Sequence, residues 1–489
     1  MIAIDRKTSL TAKIGFGIGS IPDSTYFFAW DLFLLFFYTQ VLGLSGSLVG
    51  IAILVVLVAD AILDAYVGHF SDNLIGLRFG RRHTLMATAI VPLMLSFVAL
   101  FSPPQGLSTG QLFAWLLGFG LMTRVAVTLY IIPLRAVGAE LSRSPAERSS
   151  IFALAAIGNG IARICLPLIA FGVFFRASDI FEKGQLDAAN YPAFSLAFAL
   201  AMGAAMLVQV LATFKPCIEL ERNEAAVKAV GLSPLEGLKA VWRALTLTPN
   251  VLRLLALSVF VFMSIVSISV LKIHIVTYLW QVPAKNIGLL ISAQAGGSLL
   301  GAAALPLLFS KRERRQVIRW SFTIFASLNG LALLAPLTGL APPAGSPELA
   351  FLLIGLFFLA GIALGCYFVS IAALGSDIAD EHEVNTGQRQ QGLIGGFSTF
   401  AIKVSSGLMT LITGFFLDVI KFPVGAPIAD VPAGKPEQLA LFILAFCIVS
   451  AIFVTLMIAR IDVSKKRQAE INRGLEQLNA KTKLGGQPA

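Results

Sequence analysis

The stretch Val55 to Arg82, VVLVADAILDAYVGHFSDNLIGLRFGRR, decides the fold class of this chain. Its first half is apolar enough for a membrane helix, yet Asp60 and Asp64 interrupt it four residues apart. That spacing places both carboxylates on one face of a helix. Ionisable groups inside a bilayer are costly and usually mark an ion or substrate path. We therefore predict a membrane helix whose two acids serve a functional site.

The composition is that of an integral membrane protein. Of the 489 residues, 57% are hydrophobic and 13% are charged, and the mean hydropathy is +0.83. Soluble domains carry about a quarter charged residues. The net charge of +10 arises where Lys and Arg collect in loops on one predicted side of the membrane, so it indicates no nucleic-acid partner. The polar segment 1–13 does not resemble a cleavable signal peptide.

Twelve apolar runs are long enough to cross a bilayer of about 30 Å. They fall into six, a polar stretch and six more. The predicted spans are 14–42, 46–70, 85–103, 110–138, 150–175, 193–214, 253–281, 286–310, 318–337, 348–376, 393–421 and 437–460. This layout predicts an all-α integral membrane protein with twelve transmembrane helices in two six-helix bundles, the major facilitator fold.

The domain boundaries follow from these runs. We predict a first bundle over 1–214, a central cytoplasmic loop over 215–252, a second bundle over 253–462 and a polar cytoplasmic tail over 463–489. Within the loop, the amphipathic segment Ser233–Thr246 is expected to lie on the membrane surface. Basic residues concentrate in the loops that would face inward, which places both termini in the cytoplasm. We expect a multi-pass monomer in a plasma membrane, the bacterial inner membrane.

Other ionisable residues also fall within predicted spans. Asp23 and Tyr26 lie in the first span, where contact with substrate and a position at a water-filled mouth are both open. Arg124 and Arg135 in the fourth span and Arg163 in the fifth are candidates for structural ion pairs or for substrate binding.

Lys403 lies near the middle of the eleventh span and needs a cavity or a carboxylate beside it. Asp60 or Asp64 is the candidate partner. The seventh span adds Lys272 and His274, of which the histidine is more typical of a packing residue.

The sequence offers no basis for an enzyme. It has no metal-ligand cluster, nucleophile triad or dinucleotide-binding fingerprint. The glycine-rich segments 297–306 and 392–400 lie inside predicted spans, where small residues let helices pack closely. We expect no cofactor other than a coupling cation.

Three motifs carry a family resemblance. They are DAILDAYVGHFSD with GRR (60–72 and 80–82), IPLRAVGAELS with AERSS (132–142 and 146–150) and SDIADEHEVNTGQRQQG (376–392). Together they resemble the glycoside–pentoside–hexuronide:cation symporter family over nearly the whole chain. The resemblance implies a secondary active transporter that couples symport of a sugar, glycoside or uronate to Na⁺ or H⁺ by alternating access. The partners it implies are a small-molecule substrate and the lipid bilayer.

The resemblance also implies roles for particular residues. The family's cation site corresponds to Asp60, Asp64 and Thr128, and its central lysine corresponds to Lys403. The aromatic residue that lines the sugar pocket of the family corresponds to about Phe368, beside Tyr367.

The sugar-binding positions depart from the pattern of the melibiose-type carriers in this family. The chain has Ser24 and Ile131 where those carriers have acids, Arg135 where they have a tryptophan and Ala156 where they have an arginine. Asp23 lies next to the first of these positions, and Arg163 lies two turns beyond the last. A pocket with fewer acids and more arginines favours an anionic or less polyhydroxylated substrate.

A set of charged residues near the predicted inner surface is expected to hold the outward-open state through contacts between the bundles. The set is Asp72, Arg78, Arg81, Arg82, Asp377 and Arg389. For the arginines, ordinary positive-inside topology is the alternative explanation.

Two other functions remain open from the sequence. One is cation-coupled transport of a lysolipid or another amphipathic or anionic solute, since a pocket with arginines and aromatic residues suits such a head group. The other is a non-transporting sensor, although the chain shows no soluble signalling domain.

Overall fold

The chain is built from α-helices. The computed structural model describes residues 8–73, 80–142, 144–178, 181–223, 248–309, 312–387, 391–424, 428–461 and 465–484. The helices are α1 (Leu10–Ile18), α2 (Ile21–Phe36), α3 (Gly46–Asn73), α4 (Arg81–Leu100), α5 (Thr109–Glu140), α6 (Pro145–Ile169), α7 (Asn190–Asn223), α8 (Pro249–His274), α9 (Ala284–Phe309), α10 (Arg314–Leu337), α11 (Pro347–Thr386), α12 (Gln391–Val419), α13 (Lys435–Ala459) and α14 (Lys465–Leu484). Single π-helical turns extend α2, α6 and α8 over Phe37–Val41, Ala170–Phe174 and Ile275–Leu279.

Eleven helices among the described residues are long and apolar enough to cross a membrane. The predicted first span, 14–42, is instead occupied by α1, α2 and the π-turn that follows them. The helix is interrupted at Gly19 and Ser20, and Pro22 lies in the first turn of α2. Proline has no backbone N–H and therefore fits the first turn of a helix better than its interior. The first span is thus a broken helix that begins earlier than predicted.

The helices form two bundles, α1–α7 and α8–α13, that meet along three helix pairs. These pairs are α3 with α12, α6 with α9, and α2 with α8. In span numbers, α3 and α12 are the second and eleventh spans, and α6 and α9 are the fifth and eighth. A two-fold relation that exchanges each span of the first bundle with the span six places later turns the α3–α12 contact into the α9–α6 contact. The observed interface therefore has the pairing that a two-fold relation between the bundles requires. The all-α, two-bundle fold predicted from the sequence is confirmed.

The bundles are joined at one end by a helix cap. We call the end that carries Thr8 and Arg467 the terminal face, and the opposite end the distal face. At the distal face, the Asp418 carboxylate at the end of α12 accepts hydrogen bonds from the backbone N–H groups of Gly46 and Ser47, at 2.8 and 2.7 Å. The first N–H groups of a helix lack partners within the helix and attract negative charge. One carboxylate of the second bundle therefore caps a helix of the first.

Further contacts seal the distal face. The Tyr278 hydroxyl donates to the side-chain oxygen of Gln40 at 3.1 Å. The Lys183 ammonium, in the connection between α6 and α7, donates to the carbonyl oxygens of Gln281 and Val282 at 2.8 and 2.9 Å. Burial lowers the pKa of Lys183 below its ordinary value. These hydrogen bonds link the two bundles where their distal ends meet.

At the terminal face, the predicted polar tail contains the helix α14. Arg467 of α14 lies 3.1 Å from the carboxylate of Glu381, and Gln468 donates to Asp377 at 3.2 Å. Ile471 of α14 is buried. The α11 helix carries both acids because it continues to Thr386, ten residues past the predicted end of its span. The predicted surface segment Ser233–Thr246 lies outside the described residues.

Close approach of α3 and α12 at the distal face depends on two glycines. A Cβ atom added at Gly414 would lie 2.0 Å from the carbonyl oxygen of Gly46. We expect Gly414→Ala to force these helices apart at a cost of about 1–3 kcal/mol, which would lower the thermal unfolding midpoint of the purified protein.

Gly396→Ala is the matched control on the same helix. A Cβ atom at Gly396 meets nothing within 4 Å, and alanine favours a helix over glycine. This variant should unfold at or slightly above the midpoint of the unmodified protein. Equal midpoints for the two variants would contradict the tight distal crossing.

Candidate functional site

Asp60 and Asp64 of α3 form the acid pair of the candidate site. The Asp60 side chain is 1% exposed and the Asp64 side chain is 24% exposed. On the neighbouring α5, the Thr128 hydroxyl donates to one Asp60 oxygen at 2.8 Å and lies 3.3 Å from an oxygen of Asp64. Thus three hard oxygen donors, two carboxylates and a hydroxyl, converge between two helices of the first bundle.

Lys403 reaches this acid pair from the second bundle. Its ammonium lies 2.7 Å from Asp60 and 2.6 Å from Asp64. The sequence indicated one acid as the partner of Lys403, and the structure brings both to it. Because Lys403 is on α12 and the acids are on α3, these ion pairs join the two bundles at the site.

Arg124 completes the charge balance of the acid pair. Its guanidinium nitrogen lies 3.1 Å from Asp60, and its side chain is 4% exposed. The guanidinium carbon lies 4.8 Å from the ring centres of both Tyr26 and Trp30, and 5.4 Å from that of Phe27. Aromatic faces attract cations at such distances. We call Tyr26, Phe27 and Trp30 the aromatic cage.

The cluster is neutral overall when all four groups are ionised. Asp60 and Asp64 supply two negative charges, and Arg124 and Lys403 supply two positive charges. Burying an unpaired charge costs several kcal/mol, whereas a paired and hydrogen-bonded group is tolerated. Any further cation that enters must therefore displace one of these side chains or bring a compensating charge.

Asp23, Arg135 and Arg163 form a second charged group beside the acid pair. Asp23 is partly exposed and lies within electrostatic range of both arginines, as well as of Lys403. Both arginines are exposed, and neither makes an ion pair with the residues that the structure describes. Two guanidinium groups are therefore available near the site.

The predicted aromatic pocket residues occupy different environments. Tyr367 is 1% exposed and packs with its ring centre 5.4 Å from that of Phe322, inside the second bundle. Phe368 is partly buried and lies 6.2 Å from Phe262. Tyr367 is thus in a packing position, whereas Phe368 keeps an accessible surface.

Arg81, Arg82 and Asp377 are the predicted gating residues whose ion pairs the structure describes, and each of these ion pairs lies within one bundle. Arg82 forms an ion pair with Glu140, and Arg81 lies 3.9 Å from the same carboxylate. Asp377 forms an ion pair with Arg314 of α10. Arg78, Arg389 and the side chain of Asp72 lie outside the described parts of the chain.

Reasoning from the sequence missed the aromatic cage and the Asp418 cap. Trp30 lies four residues after Tyr26, so the two rings share a face of α2 and their spacing could have indicated a cage. Asp418 is an isolated acid at the end of an apolar run, and this position could have marked it as a helix cap. The partners of both residues lie far away in the sequence.

The donor set suits a small, hard cation. Carboxylate and hydroxyl oxygens are hard ligands, which favour hard ions. Within the described residues, no group of three or more His, Cys, Asp or Glu side chains is arranged to hold a metal ion. Two carboxylates and a hydroxyl are therefore the ligands that the site offers to such an ion.

Comparisons with known proteins match the chain over most of its length. The model of the family described as MFS/sugar transport protein matches residues 15–465. The putative glycoside/cation symporter YagG of Escherichia coli is 24% identical over 486 residues, covering 96% of this chain and 95% of that protein. The isoprimeverose transporter of Lactiplantibacillus pentosus is 24% identical over 393 residues, covering 79% and 75% of the two chains.

Solved structures show the same fold. A D-xylose–proton symporter aligns with a TM-score of 0.62 at 13% identity, covering 91% of this chain and 96% of that one. At this identity the likeness concerns the fold alone.

The two acids of the site should differ sharply in their effect on stability. Asp60→Asn leaves Arg124 buried in its cage without its ion-pair partner, so we expect a loss of about 3–5 kcal/mol in the free energy of unfolding. Asp64→Asn leaves Lys403 paired with Asp60, so a much smaller loss is expected. Thermal unfolding of both variants in the same detergent measures the difference. A loss at Asp64 equal to or above that at Asp60 would contradict the role assigned to Arg124.

Proposed function

Because the chain belongs to the MFS/sugar transport protein family, we propose that it is a secondary active transporter for symport of a sugar, glycoside or uronate with Na⁺ or H⁺. The observation that carries this proposal is the cluster of Asp60, Asp64 and Lys403, which links the two bundles at the site. The printed names of two relatives, a glycoside/cation symporter and an isoprimeverose transporter, support the same class of cargo. No group other than the coupling ion is required.

Exchange at the acid pair provides the coupling. The incoming cation competes with the Lys403 ammonium for the carboxylates of Asp60 and Asp64. When the cation takes its place, Lys403 leaves, and the charge contact between α3 and α12 is lost. A ligand shifts a conformational equilibrium only through different affinities for the two states. The cation meets this condition, because the carboxylates that bind it are paired with Lys403 of the opposite bundle in one state only.

Alternating access follows from the two faces of the interface. In the structure the distal contacts of Asp418, Lys183 and Tyr278 hold the bundles together. The opposite state of the cycle requires these contacts to break while the terminal ends approach each other. We assign the terminal face to the cytoplasm of a bacterial cell, because the basic loops of the sequence lie there.

The second charged group is the proposed substrate side. The exposed guanidinium groups of Arg135 and Arg163 suit a carboxylate, which arginine binds in bidentate fashion. The Asp23 carboxylate accepts hydrogen bonds from sugar hydroxyls, and Phe368 offers a partly exposed ring. A uronate or an acidic glycoside uses all of these groups, whereas a neutral sugar leaves the arginines without a partner. The transporter is proposed to act as a monomer.

A binding screen identifies cargo and ion together. Purified protein is heated with sugars, glycosides, uronates or lysolipids, each with Na⁺ or choline and at two pH values. A ligand that binds the folded state raises the unfolding midpoint. We expect the largest shift with a uronate or acidic glycoside, and we expect Na⁺ or acid to enlarge it. A response to lysolipids alone would replace the sugar assignment with lipid transport.

Asp64→Asn should abolish cation-driven accumulation of the identified substrate in proteoliposomes while the protein remains folded. The reason is that Asp64 is the more exposed acid, at 24%, and its charge is needed to attract the ion. Asp430→Asn changes an exposed acid in the connection between α12 and α13, and this matched control should accumulate substrate normally. Full accumulation by Asp64→Asn would contradict the proposed coupling site.

A further inference from the structure

Arg124 differs from Lys403 in how firmly it is held. Arg124 is on α5, in the same bundle as Asp60, and its side chain is 4% exposed within the aromatic cage. Lys403 comes from the opposite bundle and is 15% exposed. A relative movement of the bundles separates Lys403 from the acids, yet it leaves Arg124 beside Asp60. One positive charge of the cluster is mobile and the other is fixed.

The charge of Arg124 is also permanent. A guanidinium group does not lose its proton in proteins, and its flat faces stack on aromatic rings. Tyr26 and Trp30 lie at equal distances of 4.8 Å from the guanidinium carbon. The cage therefore fits a flat cation and keeps it within 3.1 Å of Asp60.

The pairing then decides where an ion can exchange. With Lys403 withdrawn, Arg124 still pairs with Asp60, and Asp64 is left without a cationic partner among the described residues. A carboxylate in the interior without a partner is costly, so a cation is drawn to the position that Lys403 vacates. That position is bounded by Asp64 and the Thr128 hydroxyl, on the more exposed side of the pair.

We infer that Arg124 is a built-in cation that permanently neutralises Asp60, so that the exchange of Lys403 for a mobile cation takes place at Asp64 and Thr128. This inference rests on the proposed function for the identity of the site, and it adds the residue that confines the exchange to one of the two acids. Removal of the guanidinium should open the cage beside Asp60 to a free cation.

The test uses chemical rescue without any sugar. Purified Arg124→Ala is heated with guanidinium chloride far below denaturing concentrations, with NaCl, or with choline chloride. Free guanidinium should enter the vacated cage and raise the unfolding midpoint of this variant relative to choline. The unmodified protein should show no such gain, because its own guanidinium already fills the cage.

Sodium provides the second readout. Two acids without Arg124 attract a cation more strongly, so the Na⁺ concentration that gives half of the stabilisation should fall about tenfold, which equals about 1.4 kcal/mol. Arg319→Ala is the matched control, since it removes an arginine whose guanidinium carbon lies 5.3 Å from the ring centre of Trp320 on α10, outside the site. It should gain neither response. Equal effects of guanidinium and choline on Arg124→Ala would overturn the inference.

A double variant keeps the inference testable if Arg124→Ala does not fold. If Arg124→Ala is not recovered as folded protein, the combination of Arg124→Ala with Asp60→Asn removes both buried charges and should fold without responding to guanidinium. Failure of the double variant as well would show that Arg124 acts through packing rather than charge, and would overturn the inference. Failure of the proposed function has a separate signature, namely unmodified protein that responds to no sugar, glycoside or uronate under any ionic condition.

Discussion

Two carboxylates buried between membrane helices must be neutralised, and the rest of the structure depends on how this is done. Asp60 and Asp64 share Thr128 and Lys403, and Asp60 also has Arg124. Charges in a low-dielectric interior are tolerated only with close partners. The second bundle supplies one of these partners, so neutralisation of the acids and docking of the bundles are the same event.

The helices α3 and α12 carry two contacts of different kinds along one interface. At the distal face the Asp418 carboxylate caps α3, and nearer the middle Lys403 binds the acid pair. Beside the cap, the two helices approach each other closely at Gly46 and Gly414. In the proposed cycle, release of Lys403 removes the contact at the acid pair, and passage to the opposite state also breaks the distal cap.

The sequence predicted the helices and the charged pair, because both follow from the cost of polar groups in lipid. Long apolar runs located the spans, and Lys403 needed an acid, which the structure provides. The extension of α11 to Thr386 was missed because the part beyond the membrane is polar and its helix is stabilised by Arg314 and Arg467. The aromatic cage was missed for a similar reason, since nothing local to Arg124 shows that Tyr26 and Trp30 face it.

Exchange of Lys403 for a cation is the central claim, and the reactivity of its amine tests that exchange most directly. At fixed pH, modification of Lys403 by an amine-specific reagent can be followed by peptide mass spectrometry in Na⁺, in choline and in the Asp64→Asn variant. The account predicts faster modification of the variant than of the unmodified protein in choline, because the lysine has lost a partner. It predicts faster modification in Na⁺ as well if Na⁺ is the coupling ion. Equal rates under all three conditions would contradict the account.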